Sequence, residues 1–323
     1  MGEMLRCAIL DDYQRHALSA ADWGSLADRV EIARFDRHLG NEDAVADALA
    51  DFDIVVAMRE RTPFPATLLE RLPKLRLLVT TGMANAAIDM KAARGRGIDV
   101  AGTGSSVGPA AELAWGLLLA LMREIPSEAA NFRAGGGRWQ LSVGRDLKEM
   151  TLGVVGLGKL GSRVARYGKA FDMDVLGFTR TDAAARCAEL GIGHAETLDE
   201  LLARCDVVSL HLTLTPETRH IIGARELALM RSDAVLINTS RGPLVDEAAL
   251  IAALEEDRIG GAGLDVFDTE PLPAEHPFRT LPNVLATPHL GYVTRGNFAI
   301  QFPEIVNDIS AWLDGNPVRV LNT

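Results

Sequence analysis

Three polar residues of complementary chemistry each follow a short apolar run in the second half of the chain. Arg241 comes directly after AVLINTS, Glu270 three residues after GLDVF, and His289 at the end of ATPH. A planar guanidinium fits a carboxylate as a two-toothed fork. An imidazole, ordinarily titrating at about 6.5, can give or take a proton close to neutrality. A carboxylate beside it would orient the ring and favour its protonated form. Each residue alone reads as a solvated loop side chain. Delivered by different strands to one rim of a sheet, a cation, an acid and an imidazole are the toolkit of hydride transfer.

A second constellation is Gly156-Leu157-Gly158-Lys159-Leu160-Gly161, which follows the strand-like LGVV and opens a helix running to about Phe171. The first glycine permits a tight turn, the second lets backbone approach a pyrophosphate, and the third lets helix pack on strand. Strand, helix and second strand fall at the required spacing, so a dinucleotide is expected, with Gly156, Gly158, Lys159, Leu160 and Gly161 as contacts. A rival, Gly102-Thr103-Gly104-Ser105-Ser106-Val107-Gly108, has its third glycine one position late and reads as the flexible entry to a linker helix. The end of the next strand, where an acid would accept from the adenosine ribose, reads Phe178-Thr179-Arg180-Thr181. A hydroxyl and a guanidinium suit a ribose 2′-phosphate, so NADP is favoured over NAD. The alternatives are an Arg180 that is solvated or stacked on the adenine, and an Asp182 that substitutes for the missing acid.

The elements that must position these residues come in two sets. CAIL (7–10), EIARF (31–35), DIVVAM (53–58), LRLLVTT (75–81) and IDVAG (98–102) alternate with helical segments and read as one small α/β domain. TLGVVG (151–156), DVLGFT (174–179), CDVVSLH (205–211), AVLINTS (234–240), AGLDVF (262–267) and NVLATPH (283–289) read as a six-stranded, doubly wound parallel sheet. Between them lie an apolar helix, 110–122, and the stretch 131–148, whose Gly135-Gly136-Gly137 run cannot be helix interior and suggests a hinge region. An amphipathic helix over roughly 298–314 and the stub VRVLN end the sequence.

The 323 residues suit about two domains and a cleft between them. With 48% hydrophobic and 24% charged residues, intrinsic disorder is excluded. Lys+Arg of 33 against Asp+Glu of 44 leaves a net charge of −11, which repels phosphate backbones and anionic lipid. No nucleic-acid or membrane partner is expected. Cys7, Cys187 and Cys205 show neither CxxC nor zinc spacing, so free thiols, no metal and a cytoplasmic location follow. The amino-terminal stretch has no signal-peptide core, and 110–122, with Glu112 inside it, is too short for a membrane span.

Taken together, INTSRGPLVDE, DVFDTEPLP, TPHLGYVT and GLGKLG resemble the D-isomer-specific 2-hydroxyacid dehydrogenases, including phosphoglycerate, glyoxylate and hydroxypyruvate reductases, over nearly the whole chain. The resemblance implies a Rossmann dinucleotide domain over 103–292. It implies a smaller flavodoxin-like substrate domain formed by 1–102 and 293–323, with hinges near 103 and 292, and a homodimer through the nucleotide domain. It makes Arg241 the carboxylate clamp of a small 2-oxo or 2-hydroxy acid, His289 the proton donor and Glu270 its holder. Asp265 would contact the nicotinamide amide, with Thr239 and Ser240 nearby, and Gly82 and Met83 would offer backbone N–H groups to the substrate. Arg59 could reach the substrate or form a salt bridge. His211 reads as structural and His276 as surface. Met83-Ala84-Asn85 stands where relatives have small residues, Arg295 lies in a stretch often acidic, and Glu270 argues against formate. A phosphite dehydrogenase and a dinucleotide-sensing corepressor or scaffold of the same fold are the other readings.

Overall fold

Short runs of Val, Ile, Leu and Ala buried on both faces are what parallel strands covered by helices require, and the chain forms two such sheets. The structure, a computed structural model, describes residues 4–323. They divide into two compact units, one comprising residues up to Ser106 with Thr294–Thr323, the other Val107–Val293. The chain thus crosses at 106/107 and 293/294, where the sequence suggests 102/103 and 292/293.

In the first unit β1 (Leu5–Ile9), β2 (Val30–Arg34), β3 (Ile54–Ala57), β4 (Leu77–Thr80) and β5 (Asp99–Gly102) form a sheet of order β2-β1-β3-β4-β5. All its pairings are parallel. Helices α1 (Glu42–Leu49), α2 (Ala66–Glu70) and α3 (Met90–Gly95) connect the strands. The carboxyl-terminal stub closes the β5 edge: Leu321 N–H donates to the Val100 carbonyl at 2.7 Å, and the Asn322 side chain pairs with Val100 and Ile98. An exposed edge is thereby covered.

The second unit begins with α4 (Gly108–Met122) and α5 (Ile125–Ala134), which ends where Gly135 takes a left-handed conformation, φ 63°. The triple glycine stops a helix inside this unit and is not the hinge expected from the sequence. There follow β6 (Thr151–Val155), α6 (Lys159–Ala170), β7 (Asp174–Phe178), α7 (Ala183–Leu190), β8 (Gly193–His194), α8 (Leu198–Arg204), β9 (Val207–Leu210), α9 (Ala224–Leu229), β10 (Val235–Asn238), α10 (Glu247–Glu255), β11 (Gly261–Leu264) and β12 (Val284–Ala286). The sheet order is β12-β11-β10-β9-β6-β7-β8. It has seven strands, not the six read from the sequence, because two-residue β8 is too short to show a period. One core lies on each face, one around Leu202, Leu236 and Phe278, the other around Trp115, Val154 and Val164.

Register decides where the chemistry gathers. Phe178 pairs with Val155, Val155 with Leu210, Leu210 with Asn238, Asn238 with Leu264 and Leu264 with Ala286. Six strands therefore end in one row, and the residues that follow, Thr179, Gly156, His211, Thr239, Asp265 and Thr287, share one rim. Strand order reverses between β6 and β9, the point at which open α/β sheets bind ligands. The last helix, α11 (Arg295–Leu313), returns to the first unit. Among the described residues no helix is long and apolar enough to cross a membrane, and no His, Cys, Asp and Glu group could hold a metal.

Candidate active site

His289 Nδ1 lies 2.7 Å from Glu270 Oε2. A carboxylate only accepts, so Nδ1 carries the proton of this bond and Nε2 is left to exchange one. The other Glu270 oxygen accepts from the Phe267 N–H at 3.0 Å, so the carboxylate is held at both ends. Both side chains are mostly shielded, 12% exposed for His289 and 19% for Glu270. Tyr292 packs its ring edge-on against the imidazole, centroids 5.6 Å apart.

Asp265, expected against the nicotinamide amide, is fully buried. Its Oδ1 accepts from Thr287 Oγ1 at 2.6 Å and the Leu290 N–H at 2.7 Å, and its Oδ2 from the Gly291 N–H at 2.8 Å. It therefore clamps the turn that carries His289. Burial pushes its carboxyl upward, opposed by those three hydrogen bonds and by His289.

Arg241 leaves the end of β10 in extended backbone, and its Nη1 donates to the Ser240 carbonyl at 2.7 Å. Asn238 Nδ2 holds the Arg241 carbonyl at 2.9 Å. The next residue must be glycine: a Cβ at Gly242 would collide with the Phe267 carbonyl and lie 2.6 Å from the Asp268 nitrogen. The Arg241 loop thus packs on the same backbone that Glu270 grips. Thr239 and Ser240 are buried, and Ser240 Oγ donates to the Leu210 carbonyl at 2.8 Å.

The glycine turn is built as its residue types demand. Gly156 has φ 96°, and a Cβ there would sit 2.6 Å from the His211 carbonyl oxygen. A Cβ at Gly161 would collide with the Gly156 carbonyl, whereas Gly158, at the amino end of α6, faces open space. Gly158 offers no side-chain cap, so the first N–H groups of α6, Lys159 and Leu160 among them, face outward for an anion. This cradle fits a dinucleotide pyrophosphate. Thr179 is half-buried and Arg180 exposed beyond β7, and no acid stands at that strand end. A residue the sequence reading missed, Arg186 on α7, donates Nη1 to the Leu157 carbonyl at 3.2 Å. His211 bonds Ser209 Oγ through Nε2 at 2.8 Å, and burial pushes its ring down to about 4.

His276 is not the surface residue expected. Its side chain is 12% exposed and bonds Glu247 Oε1 at 3.1 Å.

In the first unit, Arg59 follows β3 with φ 55°, donates Nη1 to the Thr81 carbonyl at 3.1 Å and lies 3.5 Å from Glu60. A Cβ at Gly82, φ 96°, would collide with that guanidinium. The Gly82 N–H already donates to Thr103 Oγ1 at 3.0 Å, so of the expected pair only Met83, 53% exposed, has its N–H left to offer. Asn85 bridges the Arg59 carbonyl at 2.7 Å and Thr80 Oγ1 at 2.9 Å, fixing both loops. The rival glycine run is tied down rather than flexible: the Gly104 N–H donates to Glu304 at 2.6 Å and the Ser106 N–H to Asn297 at 2.7 Å.

Comparison with known proteins identifies the family. Residues 115–291 match the family described as D-isomer specific 2-hydroxyacid dehydrogenase, NAD binding domain. A D-3-phosphoglycerate dehydrogenase of Methanocaldococcus jannaschii is 38% identical over 78% of this chain, and the match takes in 48% of that relative, so the chain spans about half its length. A glyoxylate reductase of Aeropyrum pernix is 40% identical over 71% of this chain and 70% of its own. The crystal structure of a phosphoglycerate oxidoreductase from Vibrio cholerae superposes with a TM-score of 0.91 at 34% identity, covering 97% of this chain and all of the other. The chain belongs to the D-isomer-specific 2-hydroxyacid dehydrogenase family, whose named members are oxidoreductases.

Proposed function

We propose that the chain reduces a small 2-oxo acid, such as glyoxylate or hydroxypyruvate, and in reverse oxidises the matching D-2-hydroxy acid. The observation that carries this reading is the His289–Glu270 pair, in which Nδ1 is spent on a carboxylate and Nε2 is available. Arg241 grips the substrate carboxylate and draws charge from the 2-oxo group. His289 Nε2 gives its proton to the 2-oxygen as the C=O bond becomes C–OH, and Glu270 keeps the ring facing that oxygen. A nicotinamide dinucleotide held by the Gly156–Gly161 turn would supply the hydride for C2. In the first unit, the Met83 N–H and the Arg59 guanidinium are the proposed further contacts to substrate.

In this reading the unit built around β6–β12 holds the dinucleotide and the unit containing Arg59 and Met83 serves the substrate. NADP is the coenzyme, supported by the exposed Arg180 and the lack of an acid at the end of β7. A homodimer forms through the nucleotide unit. It is supported by Phe132, Trp139 and Val143, which are 69%, 80% and 96% exposed on and just after α5. Three free, buried cysteines suit a cytoplasmic enzyme.

The test is a panel of glyoxylate, hydroxypyruvate, pyruvate, phenylpyruvate and 2-oxoisocaproate, each with NADH and NADPH. The smallest acids with NADPH should give the highest kcat/KM. Lack of turnover across the panel with either coenzyme would remove the proposal.

A further inference from the structure

The Glu270 loop is closed by a pair of residues the proposed mechanism does not use. His276 Nδ1 accepts from the Phe278 N–H at 3.3 Å, so the ring proton sits on Nε2 and is donated to Glu247 Oε1 at 3.1 Å. Glu247 Oε2 in turn accepts from the Asp268 N–H at 3.3 Å. One carboxylate on the first turn of α10 therefore binds both ends of the segment 268–276, and Glu270 lies inside that segment. Glu247 opens α10 six residues after Arg241, and in the connection between them Gly242 packs on Phe267 and Asp268. The loop of the substrate cation and the loop of the acid are tied together at this point.

We propose that Glu247 and His276 form a brace that holds Glu270 against His289, making both of them positioning residues for the proton transfer. The inference rests on the His289–Glu270 reading above. Its requirement is geometric. Glu270 reaches His289 across 19 residues of chain with a bond at Phe267 and one at the ring, and the intervening loop has ends that must be fixed for those bonds to persist. Glu247, His220, Arg219 and Asp246 are the titratable groups that act on Asp268, at the start of the braced segment.

The experiment separates the loop from the Glu270 charge. His276→Ala leaves the Glu270 carboxylate in place and frees the loop, whereas Glu270→Gln removes that charge itself. Two readouts are followed in both variants and in wild type: the pH at which reductive kcat/KM declines, and the downfield proton signal of the His289 Nδ1–H bond to a carboxylate. The brace predicts that His276→Ala lowers reductive kcat/KM about 10-fold, weakens or broadens the Nδ1–H signal and moves the pH limb toward acid, part of the way to the Glu270→Gln position. Coenzyme Kd, measured by fluorescence quenching, should stay within twofold of wild type. His276→Gln, which keeps an N–H for Glu247, should recover most of the loss. It also serves as the test variant if His276→Ala folds poorly. Wild-type limb and signal in both His276 variants and in Glu247→Ala would overturn the brace. A Glu270→Gln enzyme that keeps the wild-type limb would instead overturn the His289–Glu270 reading on which it rests.

Discussion

His289 holds a left-handed backbone conformation, φ 51°, that a side chain adopts only when its surroundings enforce it. The three hydrogen bonds of Asp265 to Thr287, Leu290 and Gly291 are that enforcement. At this scale the positions of Arg241, Glu270 and His289 are legible in the sequence because each follows an apolar run, directly or within three residues. The role of Asp265 could not, since its partners lie 22 to 26 residues away and no local period records them. The same holds for His276, whose polar loop PLPAEHPF suggests exposure while Glu247, 29 residues back, buries it. Arg241 yields a direct prediction. Arg241→Ala removes a charge-assisted pair from a shielded site, about 3–5 kcal/mol, so kcat/KM for the 2-oxo acid should fall on the order of 10²- to 10⁴-fold. Lysine should recover only part of it, because a point charge lacks the fork. Steady-state kinetics check both variants, and unchanged kcat/KM in Arg241→Ala would remove the clamp.

Elements carry two further expectations. Beyond β7 the chain offers a hydroxyl and guanidinium groups where an acid would read a free ribose. Arg180→Ala should therefore raise KM for NADPH about 10-fold or more, the weight of one charge-assisted contact, and leave NADH nearly untouched. Thr179→Asp should shift preference toward NADH; a wild type that uses NADH better and ignores Arg180→Ala would refute the 2′-phosphate reading. On α11, burial pushes Asp308 up to about 7, against Arg319, which lowers it, and with Glu304 raising it further. Its unfolded counterpart titrates near 3.8, so between about pH 4 and 7 unfolding releases a proton and stability falls as pH rises. Asp308→Asn should flatten that slope, so its Tm relative to wild type should be higher at pH 8 than at pH 5. Equal differences at both pH values would refute it. Strand positions were legible from runs of Val, Ile and Leu, whereas two-residue β8 carries no such run. Gly135-Gly136-Gly137 misled because glycine marks a backbone need, here a helix end, and not a domain boundary.

For the molecule as a whole, two parallel sheets are what the two sets of strands in the sequence imply, whereas the return of the chain to the first unit after Val293 was implied only by the family resemblance. The sheet order, which puts six strand ends in one row, comes only from tertiary pairing. Self-association is the expectation tested most simply: replacing Phe132 and Trp139 together by serine should convert a dimer to a monomer in sedimentation velocity, and an unchanged sedimentation coefficient would place the interface elsewhere. The central claim is that His289, held by Glu270, passes the proton during turnover. The measurement that tests it most directly is kcat/KM against pH in both directions, for wild type and Glu270→Gln. Reduction consumes a protonated ring and oxidation a neutral one, so the reductive rate should fall and the oxidative rate rise through the same pH range. Glu270→Gln should move both limbs toward acid, because a neighbouring negative charge that favours the protonated ring is gone. Limbs that run in the same sense, or that ignore the loss of the Glu270 carboxylate, would contradict the account.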